Sequence, residues 1–243
     1  MENTLLVSLS RQIALRHELD VVANNVANIN TTGFKGDNML FNEHMMPKAR
    51  AEEGDLLKPV SYVIDRATMT NFTAGSIEMT GAELDVAVQG NGFFAVQTPQ
   101  GERYTRAGSF TLNAQGEMIT PAGYKVLGTG GPITFTPQDG KIAIGADGTI
   151  STAQGQKGKL RLVTVKPGDL NKEGETLFSS SRPVENDTMS RMVQGAIEKS
   201  NVKPVVEISR MIEINRAYTT ISQMIERMQS LRQTAINSLG QIQ

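Results

Sequence analysis

LDVVANNVANINTTGFK, residues 19–35, carries two readings at once. Its apolar residues Leu19, Val22, Val26 and Ile29 fall three or four apart, the spacing of one helix face. Four asparagines, Asn24, Asn25, Asn28 and Asn30, interrupt it, although asparagine is a mediocre helix former that prefers caps and turns. At about 100° per residue, Val26 and Ile29 lie within about 40° of Val22, while Asn24, Asn25 and Asn28 cover about 200–300°. Ala23 and Ala27 fill the remaining sector, so the helix has an apolar, a small and an amide face. A solvated face would carry Glu and Lys. An uncharged amide face beside alanines fits a helix enclosed by other protein, where amides donate and accept without burying charge. Local capping could explain Asn30 and Asn28 but not the set. Thr31, Thr32 and Gly33 then supply poor helix formers and a residue free to take positive φ, so the helix is expected to end between Asn30 and Gly33.

Working outward, the same spacing runs back through Leu15, Gln12, Ser8 and Leu5, with Leu9 and Ile13 widening the stripe. The far end echoes it: Ile214, Ala217, Ile221, Met224, Met228, Leu231, Ala235, Ser238 and Ile242 keep the alternation over four heptads. This second helix is expected to start just after Pro204, which disfavours helix at Lys203 and itself suits a first turn. At about 1.5 Å per residue the two helices would span about 42 and 57 Å. A compact middle of about 125 residues has a radius of gyration near 14 Å, so both helices are expected to project.

That middle reads as strands. In LDVAVQGNGFFAVQTPQGERYTRAGSFTLNAQGEMITPAGYKVLG (84–128), β-prone runs alternate with PQG, AQG and PAG, and QDG and ADG continue the series. KLRLVTV (159–165) reads as a late strand. The fold class is therefore α+β, with long terminal helices packing as a coiled-coil-like stalk and a central antiparallel β domain. The expected segments are an N-terminal helix over 1–33, an extended connector over 34–75, a β-rich domain over 76–200 and a C-terminal helix over 201–243. Within the connector, Phe34, Leu40, Phe41 and the run Tyr62-Val63-Ile64 suggest ordered extended chain.

The 243 residues are 39% apolar and carry 24 Lys and Arg against 25 Asp and Glu, so no field of one sign attracts nucleic acid or anionic lipid. There is no cysteine, hence no disulfide, thiolate metal site or thiol nucleophile. MENTLLVSLSRQ lacks a basic n-region and a small-residue cleavage site, and no stretch reaches the roughly 18 apolar residues of a membrane span. Export, if it occurs, is expected without an ordinary cleaved signal peptide.

Sites that chemistry would use are poorly supported. GNGFFA (90–95) spells a dinucleotide fingerprint, but Phe93-Phe94-Ala95-Val96 is strand-like where a phosphate loop must open a helix. His17 and His44 lack a G-x-S-x-G elbow and read as solvated or interface side chains. Asp139-Gly140 and Asp147-Gly148 lack the D-x-D-x-D-G run of a calcium loop and suit hairpins. Met211, Met224 and Met228 at helical spacing fill an apolar seam more readily than a metal site. Glu207, Arg210, Glu213 and Arg216 alternate in sign as a solvated row does, or as a row setting register with a neighbouring chain does. No cofactor, metal or small-molecule substrate is expected.

Ala23-Asn24-Asn25-Val26-Ala27-Asn28, Thr31 or Thr32, Gly33, Phe34 and Lys35 also resemble the N-terminal signature of the bacterial flagellar axial proteins, the rod and hook family. SNVKPVVEISRMIEINRAYTTISQMI (200–225) is similar to that family's C-terminal block, and residues 84–128 look like its shared β domain. Together the three matches cover most of the chain in the right order. The resemblance implies a structural subunit without enzymatic activity. It implies passage through the flagellar type III export machinery and helical polymerisation in the basal-body rod, with terminal helices forming an inner tube and the β domain outside. Partners would be other copies and other rod proteins, with no nucleic acid and no membrane insertion. Length and a single β domain point to a rod member, and the opening without a W-x-A-K-T-G-like start points to the proximal rod type. Lys203-Pro204 departs from the usual pattern. The expected subunit contacts are Leu19, Val22, Asn24, Asn25, Val26, Asn28, Ile29, Gly33, Phe34, Met211, Ile212, Arg216, Ala217, Tyr218, Ile221, Met224, Met228 and Leu231. The competing readings are a secreted, adhesin-like β module on a coiled-coil stalk and, more remotely, an enzyme using His17 or His44.

Overall fold

The protein, seen in a computed structural model, is described over residues 2–46 and 60–240. Residues 47–59 of the expected connector, Ile242, and the side chains of His44, Tyr62, Val63, Ile64, Ala235 and Ser238 lie outside that description. The chain divides into two compact units. One comprises residues 1–27, 37–69 and 203–243, the other residues 28–36 and 70–202. Helices at both ends flank a β-rich, antiparallel middle, an α+β architecture.

In the first unit α1 (Glu2–Ala27) packs against α2 (Pro204–Gly240). Gln12 bonds Ser222, Glu18 bonds Arg210 and Asn25 bonds Glu207, so the two run antiparallel. With that register, roughly the last two turns of α2 pass beyond the start of α1. The same unit holds a two-stranded sheet of β1 (Asp37–Met46) and β2 (Val60–Thr70), where extended chain was expected. α1 ends at Ala27, three residues before the expected Asn30, and turns carry the chain on to Gly33.

The second unit is built on β3 (Ile77–Met79), β4 (Val86–Gln89), β5 (Phe93–Thr98) and β6 (Gly101–Thr105). β5 lies inside a ten-stranded sheet, paired with β6, with Lys125–Gly128 and with Leu162–Thr164. Both its faces are covered, which is why FFAVQT reads as nearly continuous apolar chain. Phe94 and Val96 enter a large core with Val86, Phe110, Met118, Val126, Ile150 and Leu160. Phe93 and Ala95 enter a smaller one with Tyr104, Val163 and Phe178, where Phe72, Phe93 and Phe178 form a tilted aromatic triangle. The letters GNGFFA therefore run into a strand. A single late run closes this unit: Arg191–Gln194 pairs with β4, Gly195 turns at φ 72°, and Ala196–Glu198 pairs with β3.

Candidate functional site

Helix packing separates apolar side chains that meet within the chain from those left exposed, and the residues expected at subunit contacts are only some of each group. Leu15, Val22 and Ile214 are 3%, 1% and 4% exposed, and Leu19, Val26, Met211, Ala217, Tyr218 and Ile221 pack around them. These side chains meet within one chain, because the apolar stripes of α1 and α2 are each other's first partner. The Glu18 carboxylate accepts from Arg210 at 2.9 Å and Gln12 donates to Ser222 at 3.0 Å, bordering the seam with polar ties.

The outer faces are different. Leu6, Leu9 and Ile13 are exposed and lie about 180° from Val22, with Asn24 further along the same side. On α2, Val205, Ile208 and Ile212 are exposed opposite Ile214, and Met224, Leu231 and Ile236 are also exposed. Leu231 is 69% exposed. Arg216 faces solvent and Met228 is half-buried. Each helix thus carries exposed apolar side chains on the side turned away from the shared seam.

The asparagines separate by face. Asn24 is exposed, whereas Asn25 is 2% exposed. The amide of Asn25 donates to the Asp37 carbonyl at 2.8 Å and accepts from the Asp37 N–H at 2.9 Å, a two-point clamp on the start of β1. Asn28, 5% exposed, belongs to the second unit and accepts from the Thr31 hydroxyl at 3.0 Å. Ile29 is half-buried.

Gly33 and Phe34 are placed deep in the second unit. Gly33 adopts φ 69° and donates its N–H to the Glu198 carbonyl at 2.7 Å. A Cβ there would stand 2.3 Å from the backbone of Arg106 and Ala107. Phe34 is fully buried, with the Lys172 ammonium 4.2 Å from its ring centre. Beside them Asn201 accepts from the Gly36 N–H at 2.9 Å and donates to the carbonyls of Asn71 and Thr73. Sequence reading missed Arg106 and Glu198, which are 3% and 1% exposed. The available signal was parity: in Ala196–Glu198 the first and third residues face inward, which puts a carboxylate on the buried side.

His17 is exposed on α1. A cavity of about 670 Å³ in the second unit is lined by hydroxyls, Tyr124, Glu173 and Glu175, without a histidine. Among the described residues no three His, Asp or Glu side chains are grouped to hold a metal, and no helix is long and apolar enough to cross a membrane.

Known proteins resemble this chain over its whole length. Three family models match it: "Flagella basal body rod protein" over residues 5–35, "Flagellar hook protein FlgE/F/G D1 domain" over 87–152, and "Flagellar basal body rod FlgEFG protein C-terminal" over 193–239. The flagellar basal-body rod protein FlgF of Caulobacter vibrioides is 42% identical over 100% of both chains. FlgF of Mesorhizobium japonicum is 34% identical over 99% of each. The flagellar basal-body rod protein FlgG of Bacillus subtilis is 29% identical over 98% of this chain and 99% of its own.

Proposed function

Because this chain belongs to the flagellar basal-body rod protein family, we propose that it polymerises helically through its terminal helices and so transmits torque in flagellum-dependent motility. It is a structural subunit of FlgF type. Within that reading it forms the proximal rod, associates with other copies of itself and with other rod proteins, and catalyses no reaction. It reaches the basal body through the flagellar export machinery.

The observation that carries this reading is the second apolar face on each helix. With α1 and α2 already sharing one seam, Leu6, Leu9 and Ile13 on α1 and Val205, Ile208 and Ile212 on α2 need partners from outside the chain. Neighbouring helices would extend the pair into a coiled-coil-like stalk, and burying what is still exposed of these side chains would contribute about 1 kcal/mol each. Asn24, on the same outer side of α1, would then exchange hydrogen bonds with a neighbour without a charge to desolvate.

The test is Ile212→Asp together with Leu9→Asp in the full-length protein. Both positions are about half exposed, 49% and 43%, so the dilute protein should keep its helical signal and lose only about 1–2 kcal/mol of stability through lower helix propensity and partial burial. Cells carrying the variant should not swim, and their isolated basal bodies should lack the subunit. Normal incorporation would refute assembly through these faces.

A further inference from the structure

Three charged side chains lie together inside the second unit. Lys35 Nζ is 2.5 Å from Glu198 Oε1, and Arg106 Nη1 is 3.2 Å from Glu198 Oε2, with the three side chains 1%, 3% and 1% exposed in the order Lys35, Arg106, Glu198. One carboxylate is therefore shared by two buried cations. Asp187 acts on Arg106 electrostatically but makes no hydrogen bond to it. The remaining valences are nearly full. Lys35 donates to the Thr73 carbonyl at 2.8 Å, Glu198 accepts from the Gly75 N–H at 2.9 Å, and Arg106 donates to the Gly90 carbonyl at 2.6 Å. Arg106 also lies 4.8 Å from the Phe93 ring centre, and its Nε is buried with no acceptor. The cluster has no spare acceptor should Glu198 be lost.

A buried charge is tolerated only when paired and hydrogen-bonded. Lys35 and Glu198 are 163 residues apart, and Glu198 belongs to the last strand of this unit. We propose that Lys35, Arg106 and Glu198 form a closure lock, in which the segment Gly33–Gly36 docks only once the strand Ala196–Glu198 is seated and supplies the carboxylate. Until then, seating Lys35 would bring a second buried cation beside Arg106, on which only Asp187 would act as counter-charge. Burial pulls both cations below their usual pKa values; Glu198 opposes the shift at both, and Asp187 opposes it at Arg106 as well. Gly33 reinforces the dependence, because its N–H takes the main-chain carbonyl of the same Glu198. The lock is a property of the β unit and does not rest on the assembly reading.

Amide hydrogen exchange on the full-length protein tests it. Gly33 donates to Glu198, and Gly36 donates to Asn201, so their amides report docking directly. In Glu198→Gln, exchange at Gly33 and Gly36 should rise about 100-fold or more, while amides of β5 change less than about threefold. Should that variant not fold, Lys35→Met removes one cation with little change of shape. It should accelerate the same two amides about tenfold and leave β5 protected, since Arg106 keeps the carboxylate. Unchanged protection at Gly33 and Gly36 in either variant, or equal acceleration throughout β5, would overturn the lock.

Discussion

Asn25 and Asn24 are adjacent letters with different physical duties. Asn25 is buried and clamps both main-chain groups of Asp37, so Asn25→Ala should destabilise the helical unit by about 1–3 kcal/mol through unpaired buried polar groups. Asn24→Ala, at an exposed position, should leave stability within about 0.5 kcal/mol and reduce swimming in soft agar. Equal melting curves for the two variants would contradict this division. Gly33 offers a second residue-level test. With φ 69° and a Cβ site 2.3 Å from the Arg106–Ala107 backbone, Gly33→Ala should cost at least about 2 kcal/mol in chemical denaturation of the β unit. The amide face was legible in the sequence as a pattern. Which amide turns inward was not, because that depends on where β1 begins beside the helix.

At the scale of elements, two turns in the β unit carry acid-sensitive stability: Asp147 sits in a hairpin between the paired strands Ala143–Ile144 and Thr149–Thr152, whereas Asp139, expected in a hairpin, lies between strands that do not pair with each other. The Asp139 carboxylate, held by Lys157 and by the Thr136 N–H and hydroxyl, sits at about 2, below its ordinary 3.8. Asp147 is likewise held at about 2, chiefly by the Thr149 hydroxyl and N–H. A depressed folded pKa means the unfolded chain takes up the proton first, so this stability is present above 3.8 and is lost as pH falls towards 2. Urea midpoints of the β unit should therefore fall across that window, and the combined Asp139→Asn, Asp147→Asn variant should fall less steeply. The turn-bearing middle announced itself through repeated Gly-containing triplets, and both terminal helices through their heptads. The pairing of Arg191–Glu198 with β4 and then β3 had no such signal, because no local turn joins those strands.

Across the whole molecule the two units rest on unequal cores. Among the described residues the seam of the helical unit holds three buried apolar side chains, whereas the β unit has clusters of fifteen and six. Isolated helices depend on packing of an apolar face for most of their stability. The dilute chain should thus lose helical ellipticity at lower temperature than its near-ultraviolet aromatic signal. Limited proteolysis with mass mapping should cut α1 and α2 before residues 70–202. Simultaneous loss of both signals, with helices as resistant as strands, would show that the helix pair is complete without neighbours.

The sequence by itself determined the α+β class, the helical ends, the β-rich middle and the family, because all of these follow from local periodicity, turn residues and contiguous motifs. Only the tertiary structure decided which helix faces are consumed within the chain and which remain outside, since a seam needs two elements that are far apart in sequence. It also decided that Lys35, read simply as the basic letter closing a signature, shares Glu198 with Arg106. Charges are affordable in a core only where distant segments converge, and no window along the chain contains that convergence.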